Sequence, residues 1–405
     1  MPTSLSQGHP PLSAPLKVWH VVGPMNHGGA EVMVMELLRH KDPGTQVDFL
    51  VHQTRDHVGG SADFDAEILA SGARLFPIVT PVQSGLRAYF RAFRALVQAQ
   101  GRPDVVHTHL NARSGIVALA ARRNGVRRII VHAHAALTFR GSLAYRVFAT
   151  VELAVAKVIF GLLATDFWGC SADAVASQFP RWLHRGQPRV VINNAINVSQ
   201  YVSVSPEAVA RARADLSGGR QGLLIGTVGR LVRHKNAAML VDILDAMRRR
   251  GVNATLALIG READAAYCED IRARALDLGL SEAVRFIGPR NDIPAVMAAL
   301  DVFVSPALRE GFGLVGLEAQ AAATPAVLST GFPAMIDMDL GAVLVPKGFD
   351  ADLWAEAVIE ASGRARPALD LVARRIGERG FSSVENTQRI ERAWRDPSFL
   401  PGDPV

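Results

Sequence analysis

Phe303–Ala322, FVSPALREGFGLVGLEAQAA, decides how this chain is read. Val302–Ser305 is a β-branched and aromatic run that fits a buried parallel strand. The run stops at Pro306, a loop carries Glu310-Gly311-Phe312-Gly313, and from Leu314 the pattern turns helical, with Glu318 eight positions after Glu310. Glycines beside a helix start bring bare backbone N–H groups to where an anion can meet them. The two carboxylates flank that point and can accept hydrogen bonds from hydroxyls. Backbone that holds phosphate and acids that hold hydroxyls together make the chemistry of a nucleotide-sugar site.

Outward from this stretch, short β-rich runs alternate with amphipathic ones. The expected strands are Val18–Val22, Val47–Val51, Val105–Thr108, Arg128–Val131 and Val190–Ile192, then Leu223–Val228, Thr255–Ile259, Val284–Ile287, Val302–Ser305 and Val343–Val345. Helical patterns include Glu31–Leu38, Leu86–Ala99 and Ala237–Arg249. Such alternation predicts βαβ units and parallel sheets covered by helices on both faces. The pattern falters near Asn197–Gly222, where SPEAVARARADLSGGRQG reads as a polar linker with a short helix. The expected division is a disordered N-terminus (1–15), a first Rossmann-like domain (16–196), a linker (197–221), a second Rossmann-like domain (222–383) and a C-terminal helix and tail (384–405). A central cleft between two such domains is the default ligand site.

Composition narrows the class. With 405 residues, 49% of them hydrophobic and 20% charged, the chain can bury large cores and is not globally disordered. A net charge of +6 and a pI near 9.7 favour anionic partners, either phosphorylated substrates or an acidic membrane surface. No dense Lys/Arg run interleaved with aromatics occurs, so nucleic acid is not an expected partner. Cys170 and Cys268 stand far apart, which predicts free thiols and a cytoplasmic setting. The polar, Pro-rich start MPTSLSQGHPPLSAP does not read as a signal peptide. Residues 147–165 are apolar but interrupted by Glu152 and Lys157, so any membrane contact is expected to be peripheral. For that apolar run, and for Arg87, Arg91 and Arg94, docking beneath an anionic bilayer and a bland reading as core helix and solvated face both stay open.

Three further clusters carry chemistry. Gly28-Gly29-Ala30-Glu31 follows the first strand and opens a helix; the glycines allow close backbone approach, while Glu31 by itself fits a helix-stabilising first-turn acid. Arg230 and Lys235 stand five apart after strand Leu223–Val228, at the sheet end where ligands of such folds bind. Two cations there can neutralise a diphosphate leaving group. His107 and His109 surround one strand end, and His132 and His134 the next. No acid or cysteine is spaced to complete a metal site with them, so no metal is expected; His109 and His134 are the ones predicted to face ligand, as neutral donors to hydroxyls. Asn26 and Asn111 join His109 as acceptor-side candidates. Gly311-x-Gly313-x-x-Gly316 spells a dinucleotide fingerprint, but Glu310 beside it would repel a pyrophosphate laid along the loop. The Asp63-Phe64-Asp65 and Asp337-Met338-Asp339 pairs read as solvated acids.

With these residues in place the chain resembles the family 4 retaining glycosyltransferases of the GT-B fold, closest to their capsular and exopolysaccharide branch. The resemblance runs over roughly residues 17–395 and is carried by MNHGGAE (25–31), HTHLNARSGIVALAA (107–121), ATDFWGCS (164–171), VGRLVRHKN (228–236) and REGFGLVGLEAQAA (309–322). It implies transfer of a sugar from a nucleotide-sugar, UDP-linked by expectation, to a hydroxyl of a glycan or lipid-linked acceptor in cell-surface polysaccharide assembly, without a metal cofactor. By the same resemblance Arg230 and Lys235 hold the donor diphosphate, Glu318 the ribose hydroxyls and Glu310 the donor sugar. Gly311, Phe312, Gly313 and Leu314 would supply backbone contacts, the Gly28–Gly29 turn would approach the diphosphate, and His134 would sit over the donor sugar. The C-terminal helix would pack back on the first domain.

The chain departs from the family pattern at Asn193-Asn194-Ala195-Ile196-Asn197, where a turn glycine and an acid are usual. It departs again at Ala321–Pro325, and at Arg261-Glu262, where a second glycine often follows Gly260. Rival readings are a UDP-sugar epimerase or phosphorylase on the same architecture, a non-catalytic sugar-binding protein, and, from the decoy glycines alone, an NAD-dependent oxidoreductase.

Overall fold

The computed structural model describes residues 15–26, 28–53, 62–134, 142–179, 186–310, 312–341, 343–344, 346 and 348–404, with Ala144 and Tyr145 in backbone only. Of the expected site residues Gly311 lies outside this set, as do His27 of the first glycine motif, residues 1–14 of the N-terminus and Val345. The chain forms two units: Met1–Asn194 together with Ser383–Val405, and Ala195–Ser382.

The first unit is an eight-stranded sheet of β1 (Leu16–Val22), β2 (Thr45–Gln53), β3 (Leu75–Val79), β4 (Val105–Thr108), β5 (Arg128–Ala133), β6 (Asp166–Gly169), β7 (Arg189–Val191) and the C-terminal β14 (Asp403–Pro404). Its order is β14-β7-β6-β5-β4-β1-β2-β3; β14 runs antiparallel to β7, and the other pairs are parallel. Because β1 pairs with both β2 and β4, the strand order reverses there, which opens a crevice at the carboxyl ends of those two strands. One sheet face carries Tyr89, Phe93, Val117, Ala156 and Phe160 from three successive helices. The other carries Val34 and Leu37 of helix Gly29–His40 and Ile390 and Trp394 of helix Ser383–Arg395. The Asp42 N–H donates to both carboxylate oxygens of Glu391 at 3.0 Å, so the C-terminal helix is a built part of this unit.

The second unit holds β8 (Leu223–Val228), β9 (Ala254–Ile259), β10 (Val284–Gly288), β11 (Val302–Ser305), β12 (Ala326–Leu328) and β13 (Val343–Leu344), in the order β10-β9-β8-β11-β12-β13 and all parallel. Its reversal falls between β8 and β11. The segment 197–221 corrects the linker expectation. It carries helices Val198–Val202 and Pro206–Ser217 within this unit. Ser205 accepts from the Ala208 N–H, Pro206 stands at the first helical position, and Gly218 closes the helix in the left-handed region. Ala212 and Leu216, in a run that is otherwise polar, reach the core.

Candidate active site

The structure draws the two loops that follow β8 and β11 together at the second unit's reversal point. The Leu308 N–H donates to the His234 carbonyl at 2.9 Å, and the Lys235 ammonium donates to a carboxylate oxygen of Glu310 in a short ion pair. The carboxylate of Glu310 is almost fully covered, while Arg230 is exposed and makes no ion pair among the described residues. His234 is pushed below its usual pKa, first by desolvation and then by Lys235. The β8 edge is shaped by backbone that only glycine provides. Gly260 has φ +140°, and a Cβ there would lie 2.0 Å from the Gly229 carbonyl oxygen. Gly260→Ala should therefore cost the second unit at least about 3 kcal/mol in urea unfolding; a change under about 1 kcal/mol would show that the loops separate freely.

Gly313 caps helix Leu314–Ala321 at φ +80° and offers no side-chain cap, so an anion can complete the helix start. A Cβ at Gly313 would press 2.3 Å from the Phe332 ring. Phe312 is buried and stacks on Phe381 at 5.0 Å, which leaves only its backbone for a ligand, and Leu314 packs against the same core. On that helix Glu318 has its carboxyl raised to about 7, first by desolvation, against the lowering effect of a hydrogen bond from Tyr201. Tyr201 is a contributor that the sequence does not announce, because it reaches Glu318 from the segment read as linker. Of the departures from the family pattern, Glu262 turns to Arg272 at 2.7 Å, whereas the Arg261 carbonyl accepts from the Leu231 N–H at 2.9 Å and braces the loop that bears Arg230.

In the first unit the candidates gather at the ends of β1, β4 and β5. Asn26 is exposed and accepts from the Asp63 N–H at 3.3 Å. Gly28 precedes helix Gly29–His40, and Glu31 folds back so closely that a Cβ on Gly28 would lie 2.3 Å from its oxygen. Burial raises the Glu31 carboxyl above its ordinary range. His109 bonds through both ring nitrogens, to His20 Nδ1 at 2.8 Å and to His134 Nε2 at 2.7 Å, while His107 and His132 pair at 3.2 Å. The His107 ring lies 4.3 Å from His109, and His132 stacks on His134 at 4.4 Å. Desolvation lowers the pKa of every one of these imidazoles, to about 4 for His134 and about 3 for His20.

This array corrects two acceptor-side expectations. His109 is buried with both nitrogens engaged, so it has none to offer a substrate. Asn111, at φ +50°, uses its side-chain oxygen to accept from the His134 N–H at 3.4 Å and from Gln178 at 3.0 Å, which makes it a brace for His134. Ring nitrogens of His20, His107 and His109, and of His109, His132 and His134, lie within 4.8 Å of one another. A metal would require their in-plane lone pairs to converge, yet the stacked His132 and His134 rings are only 19° from parallel. Within the second set the rings are linked instead by the His109–His134 hydrogen bond and the His132–His134 stack.

Residues 27–200 match the family model described as Glycosyltransferase Family 4, and residues 222–363 match that of the Glycosyl transferases group 1. EpsF of Bacillus subtilis, described as a glycosyltransferase, is 29% identical over 376 residues, which cover 92% of this chain and 95% of that protein. A D-inositol 3-phosphate glycosyltransferase of Corynebacterium jeikeium is 32% identical over 176 residues, 42% of either chain. The crystal structure of Anabaena HepE in complex with UDP superposes with a TM-score of 0.75 at 20% identity, covering 94% of this chain and all of that one. A glycosyltransferase from Rickettsia africae gives a TM-score of 0.74 at 14% identity, covering 95% and 99%.

Proposed function

The chain belongs to glycosyltransferase family 4, on the GT-B fold, and from that premise we propose that it moves a sugar from a UDP-sugar to a hydroxyl of a lipid-linked glycan with retention at the anomeric carbon, in cell-surface polysaccharide assembly. The observation that carries this reading is the meeting of Lys235 and Glu310 at the second unit's reversal point, beside an exposed Arg230 that makes no ion pair among the described residues. Before donor binds, Lys235 and Glu310 satisfy each other. In the proposed complex Lys235 turns to the diphosphate with Arg230, and Glu310 accepts from sugar hydroxyls.

The bond between the anomeric carbon and the phosphate oxygen breaks, and the acceptor oxygen forms its bond from the same face. The departing phosphate takes the acceptor's proton. Negative charge grows on the leaving oxygen, and the proposal assigns its stabilisation to Arg230, Lys235 and the uncapped start of helix Leu314–Ala321. No step in this scheme draws on a metal. The first unit is assigned to the acceptor.

Thermal unfolding with UDP, GDP, ADP or NAD, without added metal, tests the donor, because a ligand of the folded state alone raises the midpoint with its affinity. UDP should give the largest shift; a shift with NAD alone, or with none of them, would overturn the reading. Glu318 adds a pH signature. As a carboxylate it accepts from both ribose hydroxyls, so UDP binding should tighten as pH rises through about 7 and lose that dependence in Glu318→Gln. A flat profile in the parent chain would remove Glu318 from the ribose.

A further inference from the structure

We propose that helix Leu143–Leu163 is an interfacial anchor whose outer face enters the headgroup region of an anionic bilayer. Leu143, Val147, Val151, Val155, Val158 and Leu162 recur every third or fourth residue, Phe148 stands beside them, and all are exposed, Phe148 at 67% and Leu162 at 75%. At 3.6 residues per turn they occupy an arc of roughly 140° along about 28 Å of helix. The opposite side holds Leu153, Ala156 and Phe160 in the first unit's core. That side is packed hard: a Cβ on Gly115 of the neighbouring helix would sit 3.1 Å from Ala156 Cα. Arg122 donates to the Leu163 carbonyl at 3.0 Å, closing the helix end. The apolar stripe is thus held outward by a firm inner face. Contiguous exposed apolar surface on this scale marks a contact site.

Charge identifies the occupant. Residues 86–163 carry twelve of the chain's 44 Lys and Arg but two of its 38 Asp and Glu, which leaves 32 basic and 36 acidic residues elsewhere. Helices Leu86–Gln100, Ser114–Arg123 and Leu143–Leu163 pack against one face of the sheet. From them Arg87, Arg91, Arg94, Arg122, Arg123 and Arg146 reach solvent. Helical geometry places Arg146 and Lys157 together along one border of the stripe. A second copy of the chain would bring the same cation excess, whereas anionic lipid brings the opposite charge. No helix among the described residues is long and apolar enough to cross a membrane, so this helix lies along the surface. The anchor rests on the exposed stripe and its charge, and stands without the transferase reading.

The test is co-sedimentation of the full chain with vesicles of phosphatidylcholine alone or with about one-third phosphatidylglycerol. Binding is expected only to the anionic vesicles and should weaken with salt. Phe148→Ser with Leu162→Ser should lower it at least tenfold, and Arg87→Gln with Arg91→Gln and Arg94→Gln should flatten the salt dependence. The UDP thermal shift should be unchanged in both, which separates failure of the anchor from failure of the donor site. Equal binding by parent and serine variant would overturn the proposal. So would no vesicle binding by a chain that still answers UDP, or a dimer in light scattering that the serine pair dissociates without any effect of lipid.

Discussion

Arg230→Ala should lower kcat/KM for sugar transfer by about 10²–10³-fold, the loss seen when one preorganised donor to a developing oxyanion is removed. The size follows from where the residue stands. It lies in the loop after β8, at the reversal point, with its guanidinium exposed and no carboxylate to neutralise it among the described residues. Removing it therefore leaves no orphaned acid, and the fold should keep its unfolding midpoint. Lys235→Ala is a less clean experiment, because it strips the partner from a Glu310 side chain that is only 9% exposed and so mixes stability with catalysis. Arg230→Lys keeps the charge but loses the two-pronged grip on phosphate, so its activity should fall between the two. If the group acts only in the transition state, kcat should drop as far as kcat/KM; a rise confined to KM would assign Arg230 to ground-state binding. Near-normal turnover in the alanine variant would end its assignment to the leaving group.

The architecture was legible because both reversal points are written in local signals: a β-branched run, glycine after it, then a helical period. Gly229, Gly260 and Gly313 occupy backbone that other residues rarely adopt. The strands the sequence hides have physical reasons for hiding. Leu75–Val79 holds Pro77, tolerated because β3 is the edge of its sheet. Asp166–Gly169 begins with an acid and ends in glycine, yet Asp166 is buried against Arg128 of the neighbouring strand at 2.9 Å. Ala326–Leu328 is only three residues long. At the candidate site, residues within one loop could be read directly, while contacts between distant segments could not. Tyr201 on Glu318, His20 at the end of the histidine chain and the turn of Asn111 toward His134 all depend on register between strands or on tertiary packing. The pairing of His20 with His107 across β1 and β4 brings His20 beside the histidines that follow, and no spacing in a single stretch reveals it.

That array also fixes how the first unit meets acid. Its imidazoles are held neutral because desolvation disfavours their charged form, and His52, against the Tyr89 hydroxyl at 2.8 Å, is lowered to about 4 for the same first reason. In the unfolded chain each takes its proton near pH 6.5, so between that value and the lowered one the unfolded state binds more protons. Stability must then fall as pH drops through this window. At pH 5 each histidine still neutral in the fold costs ~2 kcal/mol relative to neutral pH, and a few of them together rival the 5–15 kcal/mol that a domain has to lose. The expected result is cooperative unfolding of the first unit between about pH 6 and pH 4.5, with the second unit persisting lower. Tryptophan emission reads it directly, since Trp168 stands edge-on to His107 at 4.9 Å and Trp394 to His20 at 5.5 Å, with Trp19 in the same unit. A His107→Phe, His132→Phe pair removes two of the titrations and should move the midpoint to lower pH. An emission spectrum unchanged down to pH 4 would mean that the array accepts protons within the fold, and the neutral chain of imidazoles would have to be given up.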